Sequence, residues 1–342
     1  MSETNKHQIT GSEAVIKSLI AEGIEVIFGY PGGAIMPIYD ALWHYQDQIK
    51  HVLTRHEQGA THAAEGWARV KGKAAVCFAT SGPGATNLVT GIATAQLDSI
   101  PMVAITGNVP GALIGKDAFQ EIDITGITLP MTKHNILVRH ADDIPTAIAD
   151  AFHIARTGRP GPVHVDITKD ALTSETRAGH PTTIDLPGFR PTFDGHPKQL
   201  RVAAEAIEKA KRPVILAGHG ILLGDAMDEL IEFAEKTQIP VAHTLLGVGA
   251  IDERHPLSYG YMGMHGWKHV NKAIQSADLL IALGMRFDDR VTGNVRTYAP
   301  HARKIHVEID RSEINKNIPM DVGLVGDVGH IVAALLARVP TG

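Results

Sequence analysis

The sequence has little that would build a crosslinked, metal-binding or membrane-spanning protein. Its 342 residues include one cysteine, Cys77, so neither an intrachain disulfide nor a zinc site made of cysteines can form. No apolar run approaches the ~18 residues that a membrane-spanning helix needs. The first residues lack the apolar stretch of a targeting peptide. We therefore expect a cytoplasmic protein, in a reducing compartment, with no membrane partner.

Positive charge and aromatic residues are also scarce. The chain has 32 Lys and Arg against 37 Asp and Glu, a net charge of -5, so we expect no nucleic-acid partner. Aromatic residues make up 5%, so the cores must be aliphatic. Apolar residues at 44% exclude wholesale disorder. At about 150 residues per domain, the length predicts two domains.

Strand and helix patterns alternate along both halves of the chain. The predicted strands are continuous apolar runs, which is typical of parallel sheets covered by helices on both faces. The fold class is therefore predicted to be α/β, with two doubly wound parallel-sheet domains. Strands are predicted at 26–28, 52–53, 74–79, 101–106, 162–167, 213–217, 240–244, 279–283 and 304–309. Helices are predicted at 35–43, 57–70, 88–97, 144–155, 199–211, 227–236 and 329–338. A stretch rich in proline and glycine predicts a linker at 171–197 between domains at 1–170 and 198–342.

Two segments follow strands of the first half and open helices. In 55–60, Glu57 either complements the helix dipole or is a carboxylate placed for proton transfer. In 81–87, a glycine-rich turn either holds a phosphate at the helix N-terminus or simply joins a strand to a helix. The residues alone leave both pairs of interpretations open.

Two further segments follow strands of the second half. Gly218-His219-Gly220 resembles a loosened dinucleotide-binding turn. The segment 284–290 holds two adjacent aspartates between two arginines, which could bind a metal, form ion pairs or contact an anionic cofactor. The histidines His265 and His269 could share a helix face, but no third ligand follows at a metal-binding spacing, so we predict no metal site in this chain.

Taken together, these segments resemble one family. The segments 30–34, 55–60, 80–88, 116–121, 158–163 and 284–293 match, in order, those of the thiamine-diphosphate-dependent enzymes. The segments 116–121 and 286–293 indicate the catalytic subunits of the acetolactate synthase (acetohydroxyacid synthase) family. The resemblance covers nearly the whole chain and implies a pyrimidine-binding domain at 1–170 and a central FAD-binding domain at 198–342.

The family's third domain, which holds Mg²⁺ and the diphosphate, has no counterpart in the sequence. The nearest string, Gly326-Asp327, is not followed by the pair of asparagines that the family carries. The resemblance therefore implies an incomplete chain that is inactive without the third domain.

The resemblance implies an activity and a set of site residues. The activity is the joining of two pyruvates to 2-acetolactate with loss of CO₂, or of pyruvate and 2-oxobutyrate to 2-aceto-2-hydroxybutyrate, in valine, leucine and isoleucine biosynthesis. Glu57 would be catalytic, through a hydrogen bond to N1′ of the cofactor's aminopyrimidine. Thiamine diphosphate would contact Gly32, Gly33, Glu57 and Gln120, and the substrate would contact Phe119, Lys133 and Lys169. FAD would contact Ser99, Arg159, Gly218, Thr244, Leu245, Gly263, Met264, His265, Gly284, Arg286, Asp288, Asp289, Arg290, Glu308 and Asp327.

The resemblance also implies a homo-oligomer, either a dimer or a tetramer, with a small regulatory subunit as a further partner. Two alternatives stay open. The first is another enzyme of the same family, such as a pyruvate oxidase or a 2-oxo acid decarboxylase. The second is a truncated module that binds FAD without catalysis.

Overall fold

The computed structural model describes residues 8–342. They divide between residues 190 and 191 into two compact units. The division falls inside the segment 171–197 that the sequence predicts as a linker. Ala171 and Leu172, at the start of that segment, are buried in the core of the first unit. Within residues 8–342, every helix is too short or too polar to cross a lipid bilayer.

Residues 8–190 of the first unit contain eight strands and eight α-helices. The strands are β1 (Ile9–Thr10), β2 (Val26–Gly29), β3 (Lys50–Leu53), β4 (Ala75–Ala79), β5 (Met102–Asn108), β6 (His134–Val138), β7 (Pro162–Thr168) and β8 (Glu175–Thr176). The helices are α1 (Gly11–Ala21), α2 (Met36–Trp43), α3 (Glu57–Lys71), α4 (Pro83–Asn87), α5 (Val89–Asp98), α6 (Ile124–Thr128), α7 (Ile144–Arg156) and α8 (Lys169–Thr173). Six strands form a parallel sheet in the order β3-β2-β4-β5-β7-β6, and β1 pairs separately with β8.

The sheet of the first unit is buried on both faces. Val76 and Phe78 of β4 belong to one apolar cluster, and Ala75, Cys77 and Ala79 belong to the other. Successive side chains of a strand point to opposite faces, so a strand buried on both faces must be apolar throughout. Cys77 is fully buried, as its apolar strand predicts, and burial raises the pKa of its thiol to about 12.

The second unit repeats the layered arrangement. Its strands are β9 (Pro213–Ala217), β10 (Val241–His243), β11 (Ser258–Tyr261), β12 (Leu279–Leu283), β13 (Arg303–Glu308) and β14 (Val322–Val325). Its helices are α9 (Pro197–Lys209), α10 (His219–Leu223), α11 (Met227–Thr237), α12 (Lys268–Ser276), α13 (Asp289–Thr292) and α14 (Val328–Leu336). The strands form a parallel sheet in the order β11-β10-β9-β12-β13-β14, with apolar clusters on both faces. The predicted fold class, two doubly wound parallel-sheet domains, is confirmed.

Each sheet has a point at which its chain order reverses. In the first unit the reversal lies between β2 and β4, and in the second it lies between β9 and β12. At such a point the loops leave neighbouring strands in opposite directions and open a crevice at the carboxyl edge of the sheet. The two reversal points therefore locate the candidate sites.

Candidate functional site

Glu57 lies at the carboxyl edge of the first sheet. It is the first residue of α3, where His56 caps the helix by accepting a hydrogen bond on Nδ1 from the Gln58 N–H at 3.1 Å. The Glu57 side chain is buried, and its Oε2 accepts a hydrogen bond of 2.9 Å from the Asn87 amide. The side chain lies at the N-terminal end of α3, where the helix dipole is positive. The site therefore presents a buried carboxylate with a fixed orientation.

Glycine turns from β2 and β4 surround this carboxylate. A Cβ at Gly32 would lie 2.5 Å from Cβ of Thr80, and one at Gly84 would lie 2.8 Å from Thr80 Cγ2 and 3.2 Å from Glu57 Oε1. The Thr80 hydroxyl accepts a hydrogen bond of 3.1 Å from the Ala34 N–H. Only glycine allows the two turns to approach Thr80 this closely. A Cβ at Gly33 would meet no atom within 4 Å, so the turn after β2 borders open space.

Gln120 lies against the same group of turns. A Cβ at Gly82 would lie 2.5 Å from the Gln120 carbonyl oxygen, so the backbone of Gln120 packs directly on the turn after β4. Its neighbour Phe119 is 88% exposed, which leaves a large apolar side chain available for contact. The Glu121 carboxylate accepts hydrogen bonds from the N–H groups of Gly115 and Ala118, and these bonds lower the pKa of Glu121. The structure thus brings Gln120 and Glu57 to one cluster of turns.

Two predicted substrate residues of the first unit, Lys133 and Lys169, lie outside this cluster of turns. The Lys133 ammonium donates to the carbonyl oxygens of Ile154 and Thr157, the second at 2.7 Å, at the C-terminal end of α7. Lys169 is exposed at the start of α8. Their substrate contacts stay predictions.

Two predicted FAD residues of the first unit bind each other. The Arg159 guanidinium donates a hydrogen bond of 2.8 Å to the Ser99 hydroxyl. Ser99 ends α5 with a φ of 60°. This bond fixes the guanidinium next to the end of α5, while its contact with FAD stays a prediction.

In the second unit, the turns after β9 and β12 pack closely together through backbone atoms. The Gly220 N–H donates a hydrogen bond of 2.8 Å to the Gly284 carbonyl oxygen. A Cβ at Gly218 would lie 2.3 Å from that oxygen, and one at Gly220 would lie 2.6 Å from Gly284 Cα. The turn after β10 joins them, since a Cβ at Gly247 would lie 2.4 Å from the Ala217 carbonyl oxygen. The reversal point of this sheet is thus lined by backbone groups.

Predicted FAD residues surround this backbone surface. The Met264 N–H donates a hydrogen bond of 2.8 Å to the Arg290 carbonyl oxygen, and the preceding residue, Gly263, has a φ of 99°. Asp288 caps α13 by accepting from the Arg290 and Val291 N–H groups. The Arg290–Asp289 ion pair at 3.7 Å is exposed, and the Arg286–Asp288 pair at 3.9 Å is partly exposed. Exposed pairs of this kind contribute little to stability.

The other predicted FAD residues follow the carboxyl ends of their strands. The buried Glu308 carboxylate accepts from the Ile309 and Asp310 N–H groups at 3.0 and 3.3 Å. Asp327 caps α14, and the Thr244 hydroxyl accepts from the Gly247 N–H at 3.1 Å. Leu245, Met264 and His265 are exposed. Every predicted FAD residue of this unit therefore lies at one edge of the sheet.

Two residues of the first site were not predicted as site residues. Thr80 anchors the turns after β2 and β4, and Asn87 holds the carboxylate of Glu57. Both belong to the segment 80–88 that carries the family resemblance. Their position beside Glu57 could not be derived from the sequence because it depends on the packing of α4 against α3.

Comparison with known families agrees with this geometry. Residues 9–127 match the family model described as "Thiamine pyrophosphate enzyme, N-terminal TPP binding domain". Residues 200–335 match that of "Thiamine pyrophosphate enzyme, central domain". The chain belongs to the thiamine pyrophosphate enzyme family. Thiamine pyrophosphate and thiamine diphosphate are the same compound, so the resemblance stated from the sequence is confirmed.

Curated relatives in this family are 52% to 53% identical to the chain over the aligned residues. It is 53% identical over 330 residues to the "Probable acetolactate synthase large subunit" of Methanocaldococcus jannaschii, covering 96% of this chain and 56% of the relative. It is 52% identical over 337 residues to the "Acetolactate synthase" of Mycobacterium leprae, covering 98% and 54%. It is 53% identical over 329 residues to the "Acetolactate synthase large subunit" of Corynebacterium glutamicum, covering 96% and 52%. The chain spans about half the length of these relatives.

Proposed function

We propose that the chain supplies the pyrimidine-binding and central domains of an acetolactate synthase catalytic subunit. The reaction would join two pyruvates to 2-acetolactate, or pyruvate and 2-oxobutyrate to 2-aceto-2-hydroxybutyrate, in branched-chain amino acid biosynthesis. The observation that carries the proposal is the buried Glu57 carboxylate at the reversal point of the first sheet. Membership of the thiamine pyrophosphate enzyme family and the names of the relatives support it.

Glu57 has the chemistry required of a residue that binds an aminopyrimidine. Its Oε2 accepts from Asn87, and its Oε1 lies beside Gly84 where only glycine fits. A buried carboxylate in this position can hold a proton at N1′ of the ring and so shift the ring toward its imino form. Thiamine diphosphate, when bound, would supply the electron sink for decarboxylation of the 2-oxo acid. Gly32, Gly33 and Gln120 would bind the same cofactor, and Phe119, Lys133 and Lys169 would contact the substrate.

The central domain is proposed to bind FAD. The glycine turns after β9 and β12 support this, because they meet at the reversal point of the sheet, where doubly wound sheets bind their ligands. Arg286 and Arg290 would bind the diphosphate as guanidinium groups do, and Glu308 and Asp327 would accept hydrogen bonds from hydroxyl or amino groups of the nucleotide. The surface charges of this edge and its exposed Leu245 and Met264 suit a ligand with both anionic and flat apolar parts.

Further features are proposals from the same resemblance. Mg²⁺ would bind with the diphosphate on a third domain, and we assign it no ligand in residues 8–342. The subunit would work as a homo-oligomer in the cytoplasm, with a small regulatory subunit as a partner. Without a diphosphate-binding domain, the chain would form no acetolactate.

The test is an assay in two parts. The purified chain is given pyruvate, thiamine diphosphate, Mg²⁺ and FAD, alone and with the C-terminal half of a relative such as the Corynebacterium glutamicum protein. We expect acetolactate only in the second mixture. Acetate or acetaldehyde as the product would replace the proposal by a pyruvate oxidase or a decarboxylase.

FAD binding by the chain alone is a separate readout. We expect quenching of flavin fluorescence on titration with the chain, and we expect the quenching to be lost in Arg290→Ala. A chain that binds FAD but forms no product in either mixture would favour a non-catalytic module.

A further inference from the structure

A buried polar cluster joins two neighbouring strands of the first unit to the segment 109–123. This segment lies between β5 and α6 and carries Phe119 and Gln120. The cluster consists of Thr106 and Asn108 on β5 and His164 and Asp166 on β7, where Thr106 and Asp166 are register partners. All four residues are at most 6% exposed. Polar groups so deeply buried in an aliphatic core are costly unless they are well paired.

The hydrogen bonds of the cluster converge on Asp166. Its Oδ1 accepts from the Thr106 hydroxyl at 2.6 Å, and its Oδ2 accepts from the Asn108 amide at 2.5 Å. Asn108 in turn accepts on Oδ1 from the N–H of Val109 at 2.7 Å. The carboxylate thus fixes the first residue of segment 109–123 through a single side chain.

The far end of the segment is attached to the same strand. His164 Nε2 lies 2.8 Å from the Thr106 hydroxyl oxygen, and His164 Nδ1 lies 3.1 Å from the hydroxyl oxygen of Thr128 in α6. Asp170, just after β7, accepts from the Gly111 N–H at 2.9 Å. Both ends of the segment therefore depend on β7 and the residues that follow it.

The middle of segment 109–123 contains backbone conformations that neighbouring residues must hold in place. Asp117 and Gln120 have φ angles of 54° and 57°, which are unfavourable for residues with a side chain. Unfavourable conformations of this kind persist only where the surrounding structure holds them. The backbone of Gln120 packs against Gly82.

We propose that Asp166 is a positioning residue that holds segment 109–123 so that Phe119 and Gln120 stand beside the turns around Glu57. The roles of these two residues rest on the proposed function, whereas the hydrogen bonds that hold the segment do not. Asp166 itself does not contact substrate or cofactor in this proposal.

The charge state of Asp166 adds a pH dependence. Burial raises the pKa of Asp166 to about 6, and the carboxylate of Asp123, the N-cap of α6, acts in the same direction. Burial lowers the pKa of His164 to about 4, so this neighbour is neutral when Asp166 titrates. Asp170 contacts the segment from α8 at Gly111. Since burial disfavours the carboxylate, opening of the cluster, which exposes Asp166 to water, should become harder as pH falls through 6.

The test is amide hydrogen exchange of the full chain at pH 7 in Asp166→Asn. The amide side chain cannot accept at both of its ends, so we expect exchange in residues 109–123 to be at least about tenfold faster. That factor corresponds to about 1.4 kcal/mol. The control is Ser12→Ala, which removes a buried hydrogen bond of 2.8 Å to the Leu172 carbonyl oxygen in the same unit. Equal exchange of the segment in Asp166→Asn and the control would overturn the proposal.

A second pair of variants serves if Asp166→Asn does not fold. Thr106→Val removes the donor to Oδ1 with little change in volume, and Thr106→Ser keeps it. We expect faster exchange of the segment in the first variant and exchange near that of the unchanged chain in the second. The same exchange in both variants would contradict the role of Asp166.

Two further readouts separate this proposal from the proposed function. Protection of the segment in the unchanged chain should rise as pH drops through 6, and this rise should be absent in Asp166→Asn. In the complemented acetolactate assay, Asp166→Asn should raise KM for pyruvate by about tenfold with a smaller change in kcat. Faster exchange with no acetolactate from any mixture would keep the positioning role and reject the proposed function.

Discussion

The two reversal points use the same topology to present different chemistry. In the first unit, the glycine turns close around a buried carboxylate, Glu57, and a threonine hydroxyl, Thr80. In the second unit, the turns close on each other, and Gly218, Gly220 and Gly284 meet through backbone atoms. The first edge therefore places a titratable group inside the protein, while the second packs peptide groups of neighbouring turns against one another.

The proposed function assigns the two units different tasks. A proton-transfer group must be shielded from water and fixed in direction, and Glu57 is buried and hydrogen-bonded to Asn87. An extended anionic ligand instead needs close approach to backbone N–H groups and nearby arginines. Fold class alone would not distinguish these tasks, because both units are doubly wound parallel sheets.

The largest effect is expected from substitution of Glu57, the buried carboxylate at the carboxyl edge of the first sheet. Glu57→Gln should lower the rate of acetolactate formation in the complemented assay by about 10²- to 10⁴-fold, because an amide cannot transfer the proton. Initial rates at saturating pyruvate measure this. Glu65→Gln is the matched control, since Glu65 is also buried in α3 but pairs with Arg69 at 2.6 Å. Similar rates for both variants would show that Glu57 has no part in the reaction that Glu65 lacks.

A pH effect should distinguish the buried titratable groups of the first unit. The pKa of Asp166 is raised to about 6, so its contribution to stability is present below pH 4 and is lost as pH rises through 6. The pKa of His164 is lowered to about 4, so its contribution is present above pH 6.5 and is lost as pH falls toward 4. Over pH 4 to 6 the two contributions therefore oppose each other.

Substituting one of these two groups should leave the other group's contribution to the pH dependence of stability visible. The free energy of unfolding of Asp166→Asn, relative to the unchanged chain, should rise by about 3 kcal/mol between pH 4 and pH 6. That of His164→Gln should fall by a similar amount. Urea titrations read by amide exchange in β5 and β7 measure both. A flat difference for either variant would contradict the assigned direction of its shift.

A pair of glycines tests the backbone contact of the second edge. Gly284 and Gly293 have nearly equal φ angles, 57° and 58°, so alanine strains both. A Cβ at Gly284 would also lie 2.6 Å from Gly220 Cα, whereas one at Gly293 meets no atom within 4 Å. Gly284→Ala should therefore destabilise the second unit by about 2 kcal/mol more than Gly293→Ala. Urea unfolding read by exchange in β9 and β12 checks this, and equal losses would show that the close approach costs nothing.

The smallest effect on stability is expected from the surface charges of the second edge. Asp289→Asn removes the exposed ion pair with Arg290 and should change the free energy of unfolding by less than about 1 kcal/mol. FAD affinity, measured by flavin fluorescence, should change more clearly in Arg290→Ala. A large loss of stability with unchanged FAD affinity would mean that these charges serve the fold.

Central strands were predictable from the sequence, and edge strands were mostly not. The apolar runs of β4 and β12 are buried on both faces and were predicted nearly to the residue. The missed strands of the two main sheets, β6, β11 and β14, all lie at sheet edges. β6 begins with His134 and Asn135, and β11 alternates serine, glycine and tyrosine, so neither shows a continuous apolar run. A strand with a neighbour on one side only is less buried, so its sequence shows less of the continuous apolar run that marks a central strand.

The candidate site was predictable only in part for a similar reason. Local segments identified Glu57 and the glycine turns, because a strand followed by a turn and a helix is visible in sequence. The contact of Gly82 with Gln120 and the bond of Asn87 to Glu57 join residues 30 or more positions apart. The cluster around Asp166 was missed because β7 reads as an ordinary apolar strand, and its polar residues find partners only through the register with β5.

The most direct test of the central claim is product analysis of the complemented chain with pyruvate as the only substrate. Carbon-13 NMR of labelled pyruvate would show which bonds form. We expect 2-acetolactate as the product. Its yield should fall at least a hundredfold in Glu57→Gln and should change little in Glu65→Gln. Acetate or acetaldehyde as the main product, or equal yields from the two variants, would contradict it.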